Sequence, residues 1–197
     1  MSTTTESTGV TTTTGADQII NGPAQKLAGL ARILLGFTFL WAFLDKTFGW
    51  GYATESGKGW LFGTGSGNPT AGFLKFGVNP NGPLASFYTG LAPSSPSGIV
   101  NWLFMLALLG AGVGLMLGIG MRISCIGATL LLLSMWLAVA PWAKYVDKGG
   151  STVASNNPLL DEHIIYSVVL LMLMFAMAGR YWGLGRWWEQ RTPSWLN

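Results

Sequence analysis

Lipid offers the backbone no hydrogen-bond partners, so a chain with several long apolar runs has few folds open to it. A helix crosses the hydrocarbon layer with about 20 mostly apolar residues. Runs at about 26–44, 99–119, 123–140 and 159–179 meet that requirement. They predict an all-α integral membrane protein, a bundle of four transmembrane helices. Composition agrees: 50% of the 197 residues are hydrophobic and only 10% are charged, against about 25% charged in soluble domains. The net charge of +3 does not imply a nucleic-acid partner. The basic residues sit at the borders of the runs and do not alternate with aromatics. Cys125 is the single cysteine. That excludes an internal disulfide, a CxxC redox pair and a cysteine-based metal site.

Residues 1–15, MSTTTESTGVTTTTG, have no apolar face to bury. Residues 1–25 are therefore expected to form a disordered tail and lead-in, without the apolar core of a signal peptide. In the first run, Arg32, Gly36, Phe43 and Lys46 fall along one helical stripe, and Asp45 points away from it. Arg32 has two readings: it snorkels to the headgroups, or it faces the bundle and pairs with an anionic group.

Residues 45–98 are rich in glycine and proline, yet carry Trp50, Trp60, Phe62, Phe73, Phe76, Phe87 and Tyr88. That is too much apolar area for a solvated linker. Asn68-Pro69 to Gly77 and Gly82-Pro83 to Gly90 read as two short helices. The stretch is expected to cap one end of the bundle. In the second run Gly110, Gly114 and Gly118 recur every fourth residue, a spacing that lets another helix approach closely. Arg122 marks a tight turn, and Pro141 stops the third run.

Residues 143–157 read as a polar connector. Asn157-Pro158 opens the fourth run, with Asp161 and Glu162 where a helix dipole favours negative charge. His163, Ser167 and Leu170 share one face, Glu162 and Tyr166 another. Gly179 is the expected stop, and residues 181–197, with Trp182, Trp187 and Trp188, an interfacial tail. An even number of spans puts both termini on one side, together with Lys26, Arg32, Arg122, Arg180, Arg186 and Arg191. The positive-inside rule then places the termini in the cytoplasm and the cap outside.

This topology brings Asp45 and Lys46 to the membrane level of Asp161 and His163. A quinone takes up two protons with two electrons, so its site needs titrating groups and apolar walls. Asp45, Lys46, Asp161 and His163 are the candidate catalytic set, and Arg32, Trp50, Trp60 and Tyr166 are the residues expected to hold the quinone. The ordinary alternative is that Asp161 and Glu162 only serve the helix dipole. With one histidine and no CxxCH, neither a metal nor haem is expected.

Four blocks, ARILLGFTFLWAFLDKTFGWG at 31–51, GNPTAGFLKFG with GPLASFYTGLA at 67–77 and 82–92, LMLGIGMRI at 115–123, and NNPLLDEHIIYSVVLLMLMFAMAGRYWGLGRWW at 156–188, resemble the DoxX/DoxD family. Its DoxD branch is the membrane subunit of thiosulfate:quinone oxidoreductase. The resemblance implies a multi-pass protein of a prokaryotic cytoplasmic membrane that passes electrons from reduced sulfur to quinone. Its partners would be membrane lipid, quinone and a redox subunit or a second copy. A non-catalytic scaffold or accessory subunit is the alternative. A small-solute carrier fits less well, since no internal repeat or broken helix pair is visible.

Overall fold

Proline in the first turn and a left-handed glycine behind the last frame the longest helix. In the computed structural model, which describes residues 22–64, 67–147 and 149–193, α1 runs Pro23–Phe48. Gly49, at φ 68°, closes it by donating its N–H to the Asp45 carbonyl at 2.7 Å. The expected tail lies outside the described residues up to residue 21, and from Pro23 the chain is already helical. At 26 residues, α1 spans roughly 39 Å.

A π-helical turn (Phe73–Gly77) and α2 (Ala85–Gly90) follow, then α3 (Ile99–Leu117) and α4 (Met121–Val139). α1, α3 and α4 are each long and apolar enough to cross a membrane. The polar connector holds a small antiparallel ribbon, β1 (Tyr145–Val146) paired with β2 (Thr152–Val153). α5 (Glu162–Phe175) has 14 residues, roughly 21 Å of helix for about 30 Å of hydrocarbon. It stops short of Gly179: Met177 turns left-handed at φ 51°, and a 3-10 turn covers Ala178–Arg180. Gly179 is needed for packing instead, since a Cβ there would lie 2.6 Å from the Gly118 carbonyl oxygen. α6 (Gly185–Glu189) ends the described helices.

α1 packs chiefly on α3, and α4 on both α3 and α5. The α1–α3 crossing is close because glycines face backbone: a Cβ on Gly112 would sit 2.7 Å from the Leu40 nitrogen, and one on Gly36 equally near that of Met116. Of the glycines read as a packing stripe, Gly114 meets Ser124 and Gly118 meets Gly179, but Gly110 faces open space. Phe39, Met105, Leu108, Leu115, Cys125, Ala128, Leu170 and Leu173 fill the core.

The 49–98 connection is fastened over the ends of α1, α3 and α4 by buried asparagines. Asn101, fully buried in the first turn of α3, accepts from Thr70 N (3.1 Å) and Thr70 Oγ1 (2.7 Å) and donates to the carbonyls of Ser95 and Pro96. Asn79 donates to the carbonyls of Ala140 (3.2 Å) and Ala143 (2.6 Å) beyond α4. Asn101→Ala strands the Thr70 donors away from water, and should cost about 2 kcal/mol. A lower melting temperature in detergent and faster protease nicking between residues 60 and 98 check this.

Candidate functional site

The turn after α1 builds one end of a cavity. Asp45 lies off the helix stripe, as its position implies, yet it is only 1% exposed, because the following loop folds back over it. Its carboxylate accepts the backbone N–H groups of Thr54 (2.7 Å) and Tyr52 (3.4 Å). Trp60 N then donates to the Lys46 carbonyl at 2.8 Å. These bonds set Ala53, Thr54, Glu55 and Lys58 beside the Lys46 side chain.

From there a cavity of about 800 Å³ runs under the 67–74 segment and along α3 and α4. On α3 it meets Val100, Leu103, Phe104 and Ala107, and on α4 Leu131, Ser134 and Met135. Each set has the i, i+3, i+4 spacing of a single helix face, so the cavity extends roughly 10 Å down α3. Phe73, Leu74 and Tyr88 close it from above, with the Tyr88 hydroxyl 3.3 Å from Ser134 Oγ. Polar atoms gather at the loop end. Lys58 and Glu55 form an exposed pair at 2.6 Å, whereas half-buried Lys46 has no ion pair or hydrogen bond from its ammonium among the described residues. The volume suits a drug-sized or cofactor-sized ligand.

Of the expected site residues, Lys46 alone lines this cavity. Asp45 is its neighbour, but both carboxylate oxygens are bound to backbone. Trp60 packs against the core, donates Nε1–H to the Pro96 carbonyl at 2.9 Å and meets Trp102 edge-on at 4.6 Å. Trp50 is 47% exposed and stacks flat on Phe48 at 5.4 Å. Tyr166 is exposed on the outer face of α5. Arg32 faces the bundle, as in the second reading, but its hydrogen-bond partners among the described residues are carbonyls and not an acid. It is fully buried, with Nη1 on the carbonyls of Leu115 and Met116 and Nη2 on those of Tyr181 and Trp182.

Asp161 and His163 form their own pair. Asp161 caps α5, its Oδ1 accepting from His163 N (3.1 Å) and Ile164 N (3.3 Å). Its Oδ2 meets His163 Nδ1 at 2.9 Å. A carboxylate can only accept, so the proton sits on Nδ1. Glu162 is exposed beside them, and the ligand atoms of the three residues lie within 4.8 Å of one another. No hydrogen bond or ion pair among the described residues joins Asp161 or His163 to Asp45 or Lys46, and neither lines the cavity. Asp161→Ala should therefore cost about 1 kcal/mol through the lost cap, while Asp161→Asn, which keeps a capping oxygen, should cost a few tenths. Thermal unfolding of the two variants side by side checks this.

The expected set lacked Asn68, Phe73, Tyr88, Phe104 and Ser134, all of which line the cavity. Ser134, a hydroxyl within an apolar helix, was the readable signal. No protein-family model matches the chain, and neither a curated protein nor a solved structure does.

Proposed function

We propose that the cavity binds quinone and that the chain is the membrane subunit of a quinone-linked oxidoreductase of the DoxX/DoxD kind. One observation carries the reading. An apolar, aromatic-walled cavity of about 800 Å³ ends at half-buried Lys46, whose ammonium makes no ion pair or hydrogen bond among the described residues. A quinone ring would lie among Phe73, Tyr88 and Phe104, with its tail along the α3–α4 face. The Lys46 ammonium would donate to a ring carbonyl and stabilise the negative charge that builds there on reduction. Two thiosulfate ions that couple through a new S–S bond to tetrathionate give up two electrons between them; quinone takes these with two protons and becomes quinol. With no redox metal expected in this chain, a partner redox subunit or a second copy would bring the donor. Asp161 and His163 would exchange protons with water at the same membrane face, one step removed from the ring.

In this reading α5 and the residues flanking it complete a fourth span. Both termini then lie in the cytoplasm of a prokaryote, and the 49–98 connection lies outside. Protease access to the N-terminal tail in sealed vesicles of each orientation tests the topology. For the activity, purified protein is mixed with a short-chain quinone and thiosulfate, with and without candidate partner subunits, and quinone reduction is followed. Quinone-dependent turnover supports the reading. Quinone binding without turnover under any of these conditions would reduce it to an accessory, quinone-holding subunit. No binding at all would refute it.

A further inference from the structure

We infer that the Tyr88–Ser134 hydroxyl pair is a second polar anchor of the cavity, donating to the far oxygen of a ligand that carries two acceptor oxygens on one flat apolar body. The inference rests on the quinone reading and deepens it. Thr38, Thr47, Thr89 and Ser167 each bond back to the carbonyl four residues earlier, at 2.7 to 3.1 Å. Ser134 makes no such bond among the described residues. Its partner there is the Tyr88 hydroxyl at 3.3 Å, long against the usual O–H···O distance of about 2.7–2.8 Å. The protons decide what the pair can do. Two hydroxyls carry two protons, and the bond between them takes one, whichever oxygen donates. The other has no acceptor among the described residues. Tyr88 is 7% exposed, its ring held against Leu74, Val78 and Ala138, so the hydroxyl cannot swing out to bulk water. Both residues line the cavity, and the unclaimed proton is offered to what fills it.

The other polar groups of the wall point the same way. The Lys46 ammonium only donates. Thr70 Oγ1 gives its proton to Asn101 Oδ1, and Glu55 is held by Lys58 at the exposed mouth. Asn68 Oδ1 has no partner but is buried out of reach of water. Donors are thus offered at two places, the ammonium beside the loop and the hydroxyl pair on the helix wall. Ser134 stands five residues before the end of α4 at Val139, roughly 7 Å of helix inward. A ligand matched to both needs two acceptor oxygens on a body that suits Phe73 and Phe104. A para-quinone meets that need, since its carbonyls lie at opposite edges of one ring. In this pose one carbonyl accepts from Lys46 and the other from the hydroxyl pair.

Equilibrium dialysis of the full chain in detergent tests it with two probes: menadione, which has two ring carbonyls, and 2-methyl-1-tetralone, which keeps one. The wild type should bind menadione about tenfold more tightly than the tetralone, the gain from one good hydrogen bond. Tyr88→Phe combined with Ser134→Ala should weaken menadione about tenfold and shift the tetralone by less than about twofold. Phenylalanine keeps the ring in its packing and alanine suits a helix, so the double variant removes two hydroxyls and little else. Equal affinity of the wild type for the two probes, which needs no variant, would overturn the inference. So would unchanged menadione affinity in the folded double variant. Either result, beside a loss of menadione affinity in Lys46→Met, removes the hydroxyl pair and leaves the quinone reading standing. A wild type that binds no menadione overturns both.

Discussion

Arg32→Met should lower the melting temperature of the detergent-solubilised protein by roughly 10 °C, the largest stability loss expected from any single exchange described above. Arg32 joins three parts of the chain that are far apart in sequence: α1, the last turn of α3, and the bend at Tyr181 and Trp182. The last carbonyls of α3 carry the negative end of its dipole, and that of Leu115 also accepts a 3.3 Å bond from Gly118 N. A guanidinium is matched to them, since its planar fork serves two pairs of acceptors at once. Methionine would fill much of the volume and take the charged donor from four carbonyls, of which that of Leu115 keeps its bond from Gly118 N. Each buried group left unsatisfied costs about 1–3 kcal/mol. Allowing for relaxation, about 4 kcal/mol in all is reasonable, and a chain of this size loses about 2–4 °C per kcal/mol. Arg32→Lys should restore less than half of the loss, because an ammonium is a point donor and reaches one carbonyl pair but not the other. A melting temperature unchanged in Arg32→Met would mean that the clamp contributes nothing.

Lys46→Met should weaken quinone binding by about 10- to 100-fold, the range set by one hydrogen bond from a charged donor. The exchange keeps the apolar stem and the fill of the cavity wall, so it removes the ammonium and little else. Equilibrium dialysis with a short-chain quinone measures the effect. Asp161→Asn is the matched control: that residue lies outside the cavity lining and should leave the affinity unchanged. Intact affinity with lower turnover in Lys46→Met would assign Lys46 to the proton or electron step. Unchanged affinity and turnover would remove it from the site.

The long helices were readable because a bilayer-length apolar run has one favourable backbone solution. The shared face of His163, Ser167 and Leu170 was readable for a related reason: helical spacing fixes which side chains point inward, and Ser167 and Leu170 are buried as expected. Arg32 was not, because its counter-charge is the end of a helix and belongs to no side chain. The loop that returns over Asp45, whose amides at residues 52 and 54 enclose it, left no local signal. The ribbon at 145–146 and 152–153 is too short for any alternation to register. The cavity needed the loop after α1, the 67–74 segment, α2, α3 and α4 to meet, and no local pattern encodes that meeting. The topology of the apolar runs put Asp45 and Lys46 at the membrane level of Asp161 and His163. The fold instead gives each pair separate partners: backbone amides for Asp45, the cavity for Lys46, and each other for Asp161 and His163.

Photolabelling with an azido-quinone, followed by peptide mapping, bears most directly on the central claim. Label that falls on residues 68–74, 88–91, 103–107 or 131–135, and that excess unlabelled quinone suppresses, is the predicted result. Label confined to the α5 segment around His163, or labelling of the cavity that excess quinone does not suppress, would contradict it.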